Sequence, residues 1–104
     1  MIKRTLLPLL MLGLISLMFA QAADLFISEY VEGSSNNKAI EIFNGTGAAV
    51  DLSNYSMKLA SNGSPTWSTT NSVTLSGTLA NNDVFVIANA QANPTILGVA
   101  DMTH

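Results

Sequence analysis

Lys38-Ala-Ile-Glu-Ile-Phe-Asn-Gly-Thr-Gly-Ala-Ala-Val-Asp-Leu-Ser-Asn-Tyr-Ser-Met-Lys-Leu59 is the stretch that decides the fold class. Its opening residues put Ile40 and Ile42 on one side and Glu41 and Phe43 on the other, the two-residue period of a half-buried strand. Asn44 to Gly47 then reads as a turn, because Asn-Gly tolerates the positive φ that a tight reversal needs. Asp51 to Asn54 reads as a second turn. From Tyr55 the alternation resumes, with Tyr55, Met57 and Leu59 inward and Ser56 and Lys58 outward.

The same period extends to both sides. Upstream, Asp24 to Val31 reads as a strand with Leu25, Ile27 and Glu29 on one face, followed by the polar loop Glu32 to Asn37. Downstream, a loop rich in Ser, Thr and Asn runs from Ala60 to Ser72 and carries Pro65 and the single tryptophan, Trp67. Val73 to Leu79 reads as one amphipathic strand, with Val73, Leu75 and Leu79 set against Thr74, Ser76 and Thr78. After a turn at Ala80 to Asp83, Val84 to Ala88 is apolar on both faces, as a central strand should be. The tail from Asn93 to Asp101 predicts a short helical turn with Pro94 at its first position. Strands separated by frequent turn signals predict an all-β antiparallel sandwich or barrel.

Ahead of the strands stands a leader. Met1-Ile-Lys-Arg4 is basic, Leu6 to Phe19 is a nearly continuous apolar run, and Ala20-Gln21-Ala22 offers small residues at the −3 and −1 positions of a cleavage site. These are the three parts of a secretory signal peptide. The apolar run is interrupted by Pro8 and Gly13 and falls short of the ~20 residues of a transmembrane helix. The expected organisation is a signal peptide over 1–22, a domain over 23–104 and no membrane anchor after cleavage. Secretion to the periplasm or the medium follows.

Composition narrows the chemistry. The chain has 104 residues, seven acids, four basic residues, one histidine and no cysteine. Removal of the leader takes Lys3 and Arg4 with it, so Lys38 and Lys58 stand alone against all seven acids. Two lysines cannot supply the ~6–10 phosphate contacts of a typical duplex binder, so direct nucleic-acid binding by this segment is not expected. Without cysteine there is no disulfide, thiolate zinc site or thiol nucleophile. His104, the last residue, is the sole histidine, which leaves the serines without a proton acceptor.

Three motifs carry a resemblance: Ile27-Ser28-Glu29, Glu41-Ile42-Phe43-Asn44 and Val50-Asp51-Leu52-Ser53-Asn54-Tyr55. In this order, and with the strand–turn–strand from Val73 to Ala88, they resemble the lamin tail domain over about Asp24 to Asp101. The resemblance implies an immunoglobulin-like antiparallel β-sandwich. The wording EYVEGSSNNKAIEIFNGTG is closest to the bacterial secreted branch, where such modules accompany extracellular nucleases and other hydrolases. Family members carry further strands where this chain ends at His104, so the sandwich is expected to be incomplete at its C-terminal end and to expose a sheet edge.

The candidate site residues are few. Glu29 and Glu41 could form a carboxylate pair of the glycosidase kind, but no further motif supports it and strand-borne glutamates commonly accept hydrogen bonds at a sandwich rim. Glu32 to Asn37, with Asp51 and Asp83, offers oxygen ligands that suit calcium but lacks the spaced aspartates of a calcium loop. Trp67 could stack on a sugar ring or cap the core. Sequons at Asn44, Asn54 and Asn62 follow from composition. Trp67, Glu32, Asn36 and Asn37 are therefore the candidate ligand or partner contacts, with no catalytic residue, metal site or cofactor expected. The functional expectation is a secreted, non-catalytic interaction module whose partner is an adjoining catalytic domain or an extracellular polymer. Two alternatives stand beside it: the leading piece of a secreted nuclease with its active site beyond residue 104, and a carbohydrate-binding module using Trp67.

Overall fold

A computed structural model describes residues 20–104; the leader expected over 1–22 lies, as far as residue 19, outside the described residues. The elements in chain order are β1 (Phe26–Glu32), β2 (Lys38–Phe43), β3 (Val50–Asp51), a 3-10 turn (Leu52–Asn54), β4 (Ser56–Lys58), β5 (Ser72–Thr74), β6 (Thr78–Leu79), β7 (Val84–Ala88), α1 (Pro94–Leu97) and β8 (Met102–Thr103). β1, β2, β7 and β8 form one sheet in that order, and the pairs β3–β6 and β4–β5 form the opposing layer. The architecture is an all-β, immunoglobulin-like sandwich.

Alternation in β2 and β7 sets the inner face of the larger sheet. Cross-strand register aligns Ile27, Ile42 and Phe85 in one row and Tyr30, Ile40 and Ile87 in the next. Ile42 and Ile87 meet Leu52, Leu75 and Leu79 from the other layer in the buried cluster, with Ile40, Tyr55, Met57, Val73 and Met102 packed around it. Burial of such aliphatic side chains contributes about 1.5–3 kcal/mol each relative to exposure. β7 lies between β2 and β8, the central position expected for it.

The structure departs from the sequence expectation at five places. In β1 the register shifts between Ile27 and Glu29, a bulge that leaves Ser28 as the extra residue. The bulge sends Glu29 to the outer face opposite Glu41, away from Ile27, so Leu25, Ile27 and Glu29 do not share a face. The expected strand from Val73 to Leu79 is two strands in different pairs, because Gly77 at φ 94° bends the chain between them. The expected turn at Asn44–Gly47 places positive φ on Gly47 rather than on Asn-Gly, and the Asn44 side chain shapes the reversal. Leu59, expected inward, is 45% exposed, because β4 ends at Lys58 and the chain leaves the layer. Finally, the tail adds an unforeseen strand: after α1, β8 returns parallel to β7, with Met102 beside Ile87. The Asn93–Pro94 helix start is as expected, with Asn93 accepting from the Ile96 N–H and Pro94 in the first turn.

Asn44 anchors the closed end of the sandwich. It is fully buried. Its amide donates to the carbonyls of Ala48 (2.8 Å) and Leu79 (2.9 Å), and its Oδ1 accepts from the Thr46 N–H (3.0 Å) and hydroxyl (2.8 Å). Its backbone N–H donates to Asp83 O, and its carbonyl accepts from the Asn82 N–H. One side chain thus joins the turn after β2 to β6 of the opposite layer with every polar atom satisfied, the condition under which a buried amide is tolerated.

Candidate functional site: a groove beside the open edge

The strands of the opposing layer are two or three residues long, against five to seven for β1, β2 and β7. Ile27 and Tyr30 of β1 belong to the inner face yet are each 61% exposed. Where the cover stops, a groove of about 270 Å³ opens between the inner face and the β4–β5 pair. Ala39, Ile40, Ile87 and Ala88 line it from the sheet, and Met57 and Leu59 from the other layer. A second hollow of about 170 Å³ shares Ile40 and Met57 with the first and runs on past Leu25, Ile27 and Leu75. The first hollow is lined from Tyr30 of β1 across β2 and β7 to His104, and the second lies between β1, β2 and β4.

Polar groups gather around the larger hollow: Tyr30, Lys38, Lys58, Asn71, Asn89 and His104. Lys38 Nζ donates to the Glu32 carboxylate and to Gly33 O at 3.1 Å, while the Tyr30 hydroxyl donates to the same carboxylate. The Lys38 ammonium, and then the Tyr30 hydroxyl, hold the Glu32 carboxyl below its ordinary value; that bond raises the Tyr30 phenol. Lys58 has no carboxylate partner among the described residues. His104 donates its backbone N–H to Ala88 O, and its Nε2 lies 3.1 Å from Thr70 O. Lys38, Lys58 and His104 are all the lysine, arginine and histidine that the described residues contain, and all three line this groove.

The residues singled out by sequence do not converge. Asn36 Nδ2 donates to Gln91 Oε1 (2.8 Å) and Asn37 Oδ1 accepts from the Asn93 N–H (2.9 Å), so both tie the loop after β1 to the turn after β7. Gly33 fits this loop because a Cβ there would lie 2.6 Å from Asn37 O. Glu32 positions Lys38 and Tyr30 at the groove. Trp67 is 62% exposed on the loop between β4 and β5 and lines neither hollow. The groove residues Tyr30, Lys38 and Lys58 sit on three separate strands, so nothing in the local sequence links them. The scarcity of positive charge was the one signal pointing to them.

The carboxylates are mostly engaged in the framework. Asp24 accepts from the Tyr55 hydroxyl and the Leu25 N–H, Glu41 from Ser28, Asp51 from the Ser53 hydroxyl and N–H, Asp83 from the Val84 N–H and Asp101 from the Val86 N–H. With Glu32, six of the seven acids serve as acceptors for nearby structure. The Tyr55 hydroxyl lowers the Asp24 carboxyl, and the Ser53 hydroxyl lowers that of Asp51. Glu29 and Glu41 do stand directly opposite one another, and Ser28, turned by the bulge, donates to Glu41 Oε1 at 2.8 Å. Among the described residues, no group of three or more His, Cys, Asp or Glu could hold a metal ion.

Comparison with known proteins gives one match. A family model described as Lamin Tail Domain covers residues 19–103, and that family is one of non-enzymatic, immunoglobulin-like domains. No curated protein and no solved structure matches the chain.

Proposed function

The chain belongs to the lamin tail domain family, and on that premise we propose that it is an exported, non-catalytic binding module. The leader over residues 1–22 supports export to the periplasm or the medium. The observation that carries the non-catalytic reading is the use made of the acids. A general acid at neutral pH needs a carboxyl with its pKa raised. Here Asp24, Glu32 and Asp51 are shifted downward, and each is held by hydrogen bonds to its own framework. The module presents surface, in the manner of a rigid sandwich displaying loops and clefts to an adjoining domain or an extracellular polymer.

Two measurements test this. Expression of the full chain in a bacterial host, followed by mass spectrometry of the exported fraction, should find a species beginning at Ala23; material confined to the cytoplasm with residues 1–22 attached would refute export. Incubation of the exported protein with DNA, RNA and polysaccharides should give no turnover. Hydrolysis that persists through repeated purification and is lost on a single acid-to-amide substitution would refute the non-catalytic reading.

A further inference from the structure

We propose that Asn62-Gly63 is a covalent modification site, at which the asparagine converts spontaneously to aspartate and isoaspartate through a cyclic imide. Asparagine followed by glycine occurs twice in this chain, at Asn44-Gly45 and at Asn62-Gly63. Asparagine is among the thermally labile residues, and a following glycine, lacking Cβ, leaves its backbone nitrogen open to the asparagine amide carbon. The fold treats the two pairs oppositely. Asn44 is fully buried, and its side-chain amide is held by four hydrogen bonds to Ala48, Leu79 and Thr46. Gly45 is packed as well, since a Cβ there would lie 2.9 Å from the Phe43 ring. Asn62 and Gly63, by contrast, are both exposed in the loop between β4 and β5. Among the described residues neither the Asn62 side chain nor the Gly63 N–H has a hydrogen-bond partner. Gly63 stands in open space, with nothing within 4 Å of a Cβ placed on it.

The two residues form the centre of a turn, with φ of 50° at Asn62 and 72° at Gly63. One backbone hydrogen bond closes it, from the Ser64 N–H to Ser61 O at 2.9 Å, so little resists the rotation that carries Gly63 N onto Asn62 Cγ. In that step the N–Cγ bond forms, the Cγ–Nδ2 bond breaks, and ammonia leaves with the proton of the backbone nitrogen. Holding both groups in one chain makes the attack intramolecular. Solvent water then opens the ring and is the only co-reactant. Addition at Cγ gives aspartate, and addition at the main-chain carbonyl gives isoaspartate. Either product adds a carboxylate to a body in which acids already outnumber lysines seven to two. Isoaspartate also lengthens the main chain by one methylene, which the closing bond of this turn cannot span unchanged. The site is independent of the reading of the chain as a binding module.

Incubation of the full chain in mildly alkaline buffer, followed by peptide mapping with fragmentation that separates aspartate from isoaspartate, tests the assignment. Both products are expected at position 62. Each hydrogen bond on a buried amide slows its release by roughly two- to tenfold, so the four on Asn44 should leave it at least about tenfold behind. In concentrated urea the two pairs should react at similar rates, because the protection of Asn44 belongs to the fold and not to the dipeptide. Gly63→Ala should slow the reaction at position 62 at least about tenfold by placing a Cβ beside the attacking nitrogen. Its thermal midpoint should change little, since the added methyl meets nothing and the strain is confined to an exposed turn. Asn44 reacting as fast as Asn62 in native buffer would overturn the proposal. So would an Asn62 that stays intact in native buffer while both pairs react in urea, or aspartate forming there without isoaspartate.

Discussion

The two sides of this sandwich are built on opposite principles. Around Asn44, Leu52 and Leu79 the layers close: the two leucines are at most 3% exposed and every polar atom of the buried amide has a partner. Along β1 and β4 the layers part, leaving Ile27, Tyr30 and Leu59 in contact with solvent and two hollows between them. The same alternating pattern runs through both regions. What differs is whether a facing element arrives. The closed side accounts for cohesion of the domain, and the open side leaves a recess in which a ligand can gain the burial that the fold itself leaves unmade.

That contrast can be broken by substitution. Leu52→Ala should cost about 3–5 kcal/mol, since a fully enclosed side chain leaves a cavity, whereas Ile27→Ala on the open side should cost less than about 1 kcal/mol. Urea unfolding of the two variants measures both, and equal losses would mean that the open side is covered in solution. Asn44→Ala should follow, at about 2–4 kcal/mol, because the carbonyls of Ala48 and Leu79 and the Thr46 N–H lose their partner together. A loss below 0.5 kcal/mol would place those groups in contact with water.

The smallest effect is electrostatic and sharpens the comparison at the exposed rim. Asp24, Glu32 and Asp51 have folded-state pKa values below their ordinary 3.8, 4.5 and 3.8. The unfolded chain therefore binds protons first, so the stability these groups confer is complete above the ordinary values and is lost as pH falls through the lowered ones. Tyr30 and Tyr55, raised above 10.0 by Glu32 and Asp24 respectively, work at the other extreme: their contribution is complete below pH 10 and is lost as pH rises further. Thermal melting should be flat between about pH 5 and 9 and decline on both sides. Tyr55→Phe should weaken the acid limb by removing the donor to Asp24, and an unchanged limb would show that this bond is not made in solution.

Much of this fold was legible in the residues. The strands at Lys38–Phe43 and Val84–Ala88, the class of the sandwich and the helix start at Asn93–Pro94 follow from period and capping chemistry, which are local. The parts that were not legible depend on partners distant in sequence. Ser28 could not be recognised as a bulge without knowing that Glu29 pairs with Glu41. Gly77 could not be seen to divide a strand without knowing that its halves pair with β4 and β3. Asn36 and Asn37 looked like ligand contacts because polar loop residues generally do, and their bonds to Gln91 and Asn93 exist only after β7 is in place.

The sequence by itself determined that the chain alternates as β strands, that its body is acidic, and that it lacks the inventory for cysteine chemistry, because composition and side-chain period are properties of the chain alone. Only the tertiary structure decided which asparagine is buried, which face each glutamate takes, and that Lys38, Lys58 and His104 meet at one cleft. Those outcomes depend on register and on how far one layer covers the other, and both are fixed by contacts between strands far apart in the chain.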